Sequence, residues 1–120
     1  MSSGDHRVGA QAYNIQANEV AIGMTIPYAA LEIMKLRLTP SAYQQAAVLA
    51  KTFLGETAVA AGWLDEIVLP EAVRDRALEA AREFATLNHH AHAATKLRTR
   101  ADALAGIRAG IDGMAAEFGL

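Results

Sequence analysis

The sequence places three histidines close together, His89, His90 and His92. Two imidazoles three residues apart on a helix face the same side and can share a metal ion. No nearby carboxylate or thiol completes a set of ligands. We therefore interpret these histidines as a polar junction between two helices, and we expect neither a metal site nor a bound cofactor.

Other polar residues are weaker candidates for chemistry. Ser3 and Ser41 could pair with the histidines as nucleophile and base, but neither stands in a sequence like a strained nucleophile elbow. Cations scattered over predicted helices usually form a solvated surface. Among them, Lys96 and Arg98 are the candidates for contact with a phosphate group.

Glu19 is a carboxylate that directly precedes an apolar run, Val20, Ala21 and Ile22. From spacing alone, the pattern indicates a solvated carboxylate at the end of a strand. An apolar pocket would instead remove water from the carboxylate, which favours its protonated form and suits it to proton transfer. Both interpretations stay open at this point.

The elements that must position Glu19 are short strands and helices. Residues 6–10 and 13–20 alternate partly between apolar and polar types, which predicts two strands. Thr25-Ile26-Pro27 predicts the start of a helix that ends near Leu38, because proline in the first turn loses no hydrogen bond. Thr39-Pro40 predicts a second helix start.

The middle and the end of the chain are predicted to be mostly helical. The second helix should run to about Lys51, followed by a helical turn closed by Gly62 and a short strand at 63–69. Residues 70–87 form an amphipathic helix. Residues 92–117 predict one long helix, because apolar residues recur there at steps of three and four: Leu97, Ala101, Leu104, Ile107, Ile111, Met114 and Phe118.

Glycines interrupt this last helix at positions 106, 110 and 113. Each costs about 1 kcal/mol relative to alanine, so we expect either close backbone packing or a break in the helix. The predicted fold class is α+β and predominantly helical, with two or three short strands followed by packed α-helices.

Length and composition limit the possible functions. The 120 residues allow one domain, and a net charge of −2 with spread cations argues against a nucleic-acid partner. No apolar run reaches the roughly 18 residues of a membrane span, so no membrane partner is expected. The absence of cysteine fits the cytoplasm. The apolar fraction of 52% is high for a small monomer, so some apolar surface should meet a partner.

Two segments resemble the crotonase (enoyl-CoA hydratase/isomerase) superfamily. Asn18-Glu19-Val20-Ala21-Ile22-Gly23-Met24 is similar to the family segment in which a glutamate ends a strand before an apolar triplet and a glycine. Residues 53–68 are similar to its alanine-rich turn, glycine, apolar pair, aspartate and short strand, and Asp5-His6-Arg7-Val8 extends the match backward. Beyond Val68 the resemblance lies in the order and length of the helices.

The resemblance implies that residues 1–120 form one partial crotonase-like domain, the C-terminal half of the fold. Strand segments would occupy 1–25, helices and a short strand 26–69, and a helical region 70–120. In this family the N-terminal half carries the first catalytic carboxylate and both backbone N–H groups that bind a thioester oxygen. The resemblance therefore implies a chain that is inactive alone and that pairs with a complementing N-terminal chain.

The resemblance also implies site residues. The substrate would be an acyl-CoA thioester, with Glu19 as the catalytic acid and base and with Ile22, Met24 and Tyr28 as substrate-binding residues. Water addition in the family usually uses two carboxylates, whereas an isomerase-like proton shuttle could manage with one. The alternative is a non-catalytic interaction protein that keeps the helical half of the fold and assembles with itself.

A homo-oligomer, either a dimer or a trimer, is expected under both hypotheses. The strands 6–10 and 13–20 would present bare edges if the other half of the fold were absent, and the helices from Pro70 onward would present apolar faces. Such edges and faces invite pairing with another chain, and a closed symmetric assembly buries them most simply.

Overall fold

The computed structural model describes residues 3–120. The predicted domain of 1–120 can therefore be followed from Ser3 onward, and Met1 and Ser2 lie outside the described residues. Within this range the strands are β1 Val8–Ala10, β2 Asn14–Ile15, β3 Phe53–Leu54 and β4 Glu66–Val68. The helices are α1 Tyr28–Arg37, α2 Pro40–Ala47, α3 Gly55–Ala61, α4 Val73–Phe84, α5 His89–Thr99, α6 Ala101–Asp112 and α7 Met114–Glu117, with 3₁₀ turns at Val20–Ile22 and Pro70–Ala72.

The strands form two small ladders. β1 pairs with β4 in parallel, with Val8 opposite Glu66, and β2 pairs antiparallel with β3, with Ile15 opposite Phe53. Both ladders therefore join the first 15 residues to a segment about 40 to 60 residues later in the chain. The predicted fold class, predominantly helical with short strands followed by packed helices, is confirmed.

An ion pair between the buried Arg7 and the more exposed Asp65 sets the register of the parallel ladder. Arg7 is buried, and its Nε and Nη2 donate to the Asp65 carboxylate at 2.9 and 3.1 Å, while Nη1 donates to the Gly62 carbonyl oxygen at 2.6 Å. The Arg7 backbone N–H donates to Asp65 Oδ2 at 2.8 Å. Burial alone would raise the pKa of Asp65, but these hydrogen bonds from Arg7 outweigh it and hold that pKa below its ordinary value.

The helix boundaries follow local chemistry at several points. Thr39 Oγ1 accepts a hydrogen bond from the Ala42 backbone N–H at 3.2 Å, and Pro40 opens α2, as predicted. Gly62 ends α3 in the left-handed conformation, with φ of 96°. A Cβ at Gly62 would also collide with the carbonyl oxygen of Arg37, so this position joins the ends of α3 and α1 through a close backbone contact.

The hydrophobic core lies among α1, α2, α3 and the β2–β3 ladder. Its largest buried members are Met34, Leu38, Phe53, Trp63 and Leu64. The rings of Phe53 and Trp63 pack with their centroids 6.5 Å apart, which suits the tilted geometry that aromatic pairs favour. This core contains residues of α1 and of the second resemblance segment, 53–68, but none of residues 18–24.

Helix α6 packs closely on α1 through its glycines. A Cβ at Gly110 would lie 2.7 Å from the backbone nitrogen of Ala29, so only glycine allows the two backbones this distance. A Cβ at Gly113 would meet no atom closer than 3.4 Å. The expectation of close packing thus holds for Gly110, whereas Gly113 marks the end of α6.

Several predicted boundaries were wrong. The strand predicted for 13–20 is paired only at Asn14–Ile15, and Phe53–Leu54, predicted as part of no element, forms its partner β3. The second helix ends at Ala47 rather than near Lys51. Of the strand predicted for 63–69, only Glu66–Val68 is paired.

The long helix predicted for 92–117 is three helices. It begins early, at His89, because the Asn88 side chain accepts a hydrogen bond from the Ala91 N–H at 2.9 Å. It breaks at Arg100, whose backbone leaves the helical conformation while its side chain reaches Asp5 and the Ser3 carbonyl oxygen. It ends again at Gly113.

The apolar stripe of these last helices is not buried within the chain. Leu104 is 47% exposed and Ile111 is 56% exposed, although both belong to the stripe that periodicity predicted to be covered. The reason is that α6 turns its glycine face, rather than its leucine and isoleucine face, toward α1. None of the helices in residues 3–120 has the length and apolar character needed to cross a membrane.

The contrast between two glycines gives a stability prediction. Gly110→Ala should destabilise the fold by about 1–2 kcal/mol, because the overpacking at Ala29 outweighs the helix propensity gained. Gly113→Ala is the matched control and should change stability by less than about 1 kcal/mol, toward greater stability. Urea unfolding measures both, and equal midpoints for the two variants would contradict the close packing of α6 on α1.

Candidate functional site

Glu19 begins the 3₁₀ turn Val20–Ile22 instead of ending a strand, which corrects the sequence-based expectation. Its carbonyl oxygen accepts hydrogen bonds from the Ile22 N–H at 3.1 Å and the Met24 N–H at 2.8 Å. Gly23 closes the turn in the left-handed conformation, with φ of 82°. The backbone around Glu19 is thus fixed by local hydrogen bonds.

The Glu19 carboxylate is half-buried and incompletely satisfied. Its Oε2 atom is buried and has no hydrogen-bond partner among residues 3–120. Leaving a buried polar atom unpaired typically costs about 1–3 kcal/mol, so buried polar groups in proteins are normally paired. Glu19 Oε2 is therefore a polar atom that no described residue satisfies.

The three predicted substrate-binding residues are exposed. Ile22 is 62%, Met24 52% and Tyr28 68% exposed. They follow the Glu19 turn in sequence, but they do not line one common cavity. Met24 lines an apolar groove of about 530 Å³, whereas Tyr28 lines a different cavity of about 560 Å³ between α1 and α6.

The groove beside Met24 is the concave surface nearest in sequence to Glu19. Its lining is mostly apolar and comes from the Glu19 turn and from helices α1 and α2: Val20, Gly23, Met24, Thr25, Ile26, Leu31, Tyr43, Ala47 and Val48. Such a surface suits an acyl chain better than a charged group. It is open to solvent on this chain, since Val20, Met24 and Val48 are about half-exposed.

Glu117 is a second carboxylate at this end of the fold, and sequence reasoning missed it. Glu117 Oε1 accepts a hydrogen bond from the Tyr28 backbone N–H at 3.1 Å, at the start of α1, and its Oε2 is buried without a partner among the described residues. Glu117 also shares a small cavity with Met24 and Thr25. No sequence signal pointed to it, because the contact spans 89 residues and depends on the packing of α6 on α1.

The other sequence candidates lie elsewhere. His89 Nε2 is 3.1 Å from the Ala85 carbonyl oxygen, and His92 Nε2 is 3.5 Å from Asp5 Oδ2. Residues 3–120 contain no group of three side chains placed to hold a metal ion. Lys96 faces Asp5, with Nζ 2.9 Å from the carboxylate, whereas Arg98 is exposed on the same helix.

Comparison with known proteins gives relatives among solved structures only. No protein-family model and no curated protein matches the chain. A probable enoyl-CoA hydratase from Mycobacterium tuberculosis is 82% identical over 99% of this chain, with a TM-score of 0.97, and this chain covers 50% of it. A second solved structure of the same Mycobacterium tuberculosis protein, named there as an enoyl-CoA isomerase, is 82% identical over 97% of this chain, with a TM-score of 0.96 and 51% of its own length covered.

A more distant relative shows the same pattern. An enoyl-CoA hydratase/isomerase family protein from Pseudomonas syringae is 38% identical over 92% of this chain, with a TM-score of 0.87, and 49% of its length is covered. The chain thus spans about half the length of the solved structures it matches.

The unpaired oxygen of Glu19 gives a prediction about stability. Glu19→Gln should leave the free energy of unfolding unchanged or raise it by up to about 1 kcal/mol, because it removes a half-buried charge that no described residue compensates. Glu117→Ala is the contrasting variant and should cost about 0.5–2 kcal/mol, because the first N–H of α1 then loses its acceptor. Urea unfolding at neutral pH measures both. A loss above about 1 kcal/mol for Glu19→Gln would mean that the carboxylate has a structural partner.

Proposed function

Because the chain belongs to the enoyl-CoA hydratase/isomerase (crotonase) superfamily and has the C-terminal half of its fold, we propose that it supplies the proton-transfer carboxylate of a site for acyl-CoA thioesters. The observation that carries the proposal is Glu19, whose buried Oε2 has no partner in the described part of the chain. The apolar groove lined by Val20 and Met24, which follow Glu19 in the chain, fits an acyl chain.

The proton moves in two balanced steps in this proposal. Glu19 removes a proton from the carbon next to the thioester carbonyl, and the electron pair of that C–H bond moves into the thioester as an enolate. Glu19 then returns the proton to another carbon as the enolate collapses, so the double bond shifts and no other reactant is consumed. The rigid turn from Glu19 to Met24 keeps the carboxylate in one place for both steps.

The enolate needs a stabilising oxyanion hole. Two preorganised N–H donors supply it in this chemistry, and losing a single donor typically slows such a reaction about 10²–10³-fold. The solved relatives are about twice as long as this chain, so we propose that the N-terminal half of the fold, from a separate chain or from more of the same one, brings these donors.

The proposal favours isomerisation over hydration for the residues at hand. Isomerisation can be completed by one carboxylate, and Glu19 is one. Hydration in this family usually uses a second carboxylate to activate water, and the resemblance places that carboxylate in the N-terminal half. The Mycobacterium tuberculosis relative is named as a probable hydratase in one solved structure and as an isomerase in another. We place the acyl chain against Met24, and we propose that Ile22 and Tyr28 contact other parts of the acyl-CoA, since neither lines the groove beside Met24.

The non-catalytic alternative is not favoured. A protein that only self-assembled through its helices would leave the unpaired Glu19 oxygen without a purpose, and such groups are rarely kept in a fold without one. Its relatives at high identity are named as enzymes. The lack of cysteine fits a reducing compartment, so the cytoplasm stays our expectation for its location.

The activity proposal predicts a difference between the chain alone and the assembled protein. The 120-residue chain alone should hydrate crotonyl-CoA no faster than buffer, because the proposed oxyanion donors are not in it. Mixing it with the N-terminal half of the Mycobacterium tuberculosis relative, expressed separately, should give turnover of an enoyl-CoA above the sum of the two halves. Turnover by the lone chain that disappears in Glu19→Gln would contradict the need for the other half.

The exposed faces predict self-association, as a dimer or a trimer. Leu97, Leu104 and Ile111 are exposed on α5 and α6, and we propose that a second copy covers them when the other half is absent. Light scattering coupled to size exclusion at micromolar concentration should show an oligomer. Leu104→Asp should dissociate it without unfolding the chain, and Arg108→Ala should not. A folded, monodisperse monomer for the unmodified chain would refute the proposal.

A further inference from the structure

A groove of about 670 Å³ lies between the C-terminal end of α1 and the side of α5, away from Glu19 and from the cavities beside Met24. Arg37, Lys96 and Arg100 line it, together with a single carboxylate, Asp5. With the neighbouring His92 taken as neutral, three positive charges face one negative charge. The overall chain has a net charge of −2, so this local excess of positive charge is opposite in sign to the whole molecule.

Asp5 is surrounded by more positive charge than one carboxylate can balance. Lys96 Nζ and Arg100 Nη2 each lie 2.9 Å from it, and His92 Nε2 lies 3.5 Å away. The hydrogen bond from Lys96 and the charges of Lys96 and Arg100 hold the pKa of Asp5 below its ordinary value. Asp5 is thus fully ionised at neutral pH, and it still leaves the cations around it only partly compensated.

Arg37 is the least satisfied of these cations. Its Nε is buried without a hydrogen-bond partner among the described residues. Its Nη2 donates a long hydrogen bond to the Asp5 carbonyl oxygen at 3.4 Å and lies 3.5 Å from Asp65, but that carboxylate is held at 2.9 Å by Arg7. Loss of solvent, and then the nearby charge of Arg7, lower the pKa of Arg37. An anion bound beside Arg37 would favour its charged form and so offset the loss of solvent and the charge of Arg7.

The neutral parts of the groove also favour an anion. The first turn of α5, at Asn88 and Ala91, forms one wall, and the N-terminal turn of a helix is positively polarised. The Thr95 side chain provides a hydroxyl on the next turn. Leu36 and Leu87 make an apolar part of the lining, which suits the organic body attached to a phosphate group.

We propose that this groove binds a phosphate or diphosphate group, with Lys96, Arg100 and Arg37 as its charged ligands and the Thr95 hydroxyl as a neutral donor. Guanidinium and ammonium groups are the side chains that proteins use for phosphate, and Arg binds it through paired N–H donors. The site is separate from the proposed acyl-CoA chemistry and does not depend on it. A free phosphate and a nucleotide diphosphate would present the same group to the three cations.

The binding test uses the whole 120-residue chain, titrated with pyrophosphate in an isothermal calorimeter at low salt. The unmodified chain should bind one pyrophosphate saturably. Lys96→Gln and Arg100→Gln should each weaken binding at least tenfold. Arg98→Gln is the matched control, because Arg98 is exposed on α5 and does not line the groove, and it should change the affinity less than about twofold.

Replacing pyrophosphate by ADP distinguishes a nucleotide from a free phosphate. Tighter binding of ADP indicates that the organic part of the ligand contacts Leu36 and Leu87.

Asp5→Asn separates an anion site from a purely structural ion-pair cluster. Removing the one carboxylate raises the positive charge of the groove, so pyrophosphate should bind several-fold more tightly even though the fold loses an ion pair. This variant also decides the question if Lys96→Gln or Arg100→Gln does not fold. The proposal is overturned if the unmodified chain shows no saturable binding, if Arg98→Gln weakens binding as much as Lys96→Gln, or if Asp5→Asn leaves the affinity unchanged or lower.

Discussion

Arg7 places a positive charge in the interior of the fold. The rest of the structure depends on the groups that compensate this charge. Its guanidinium binds Asp65 and the Gly62 carbonyl oxygen, while the Asp65 N–H donates back to the Arg7 carbonyl oxygen at 2.9 Å. A buried charge without its partner is strongly unfavourable. Separating Arg7 from Asp65, 58 positions apart in the chain, would therefore strongly destabilise the fold. The pair therefore fixes β1 beside β4 in one register, and it joins the end of α3 to the start of the chain.

The position of Glu19 follows from this constraint. β1 leads into the short β2, whose pairing with β3 brings the chain to the Glu19 turn beside α1 and α2. On the other side, the close approach of Gly110 to α1 brings α7 near enough for Glu117 to accept from the Tyr28 N–H. The two carboxylates thus reach the same end of the fold from opposite ends of the chain, each with one buried oxygen that the described residues leave unpaired.

How far the sequence predicts the fold depends on how local each signal is. The start of α2 was predictable because Thr39 and Pro40 act within their own turn, and the end of α3 because Gly62 can adopt the left-handed conformation. The break at Arg100 was not predictable, since it accompanies pairing of that side chain with Asp5, 95 residues away. The apolar periodicity of α6 predicted the wrong buried face, because the glycine face packs on α1 and the face with Leu104 stays exposed.

For the site, the family resemblance selected Glu19. No local pattern could reveal Glu117, or the groove that Arg37, Lys96 and Arg100 line together.

The central claim is that Glu19 moves the proton and that the rest of its surroundings bind and orient the acyl-CoA. The most direct measurement is the steady-state isomerisation of a 3-enoyl-CoA to the 2-enoyl-CoA by the assembled protein, with the unmodified chain and with Glu19→Gln. Positioned acid–base groups typically contribute about 10²–10⁴-fold in rate. The account predicts that Glu19→Gln lowers kcat by at least about a hundredfold and changes KM less than about threefold. A kcat within tenfold of the unmodified protein would contradict it and would assign the proton transfer to another group.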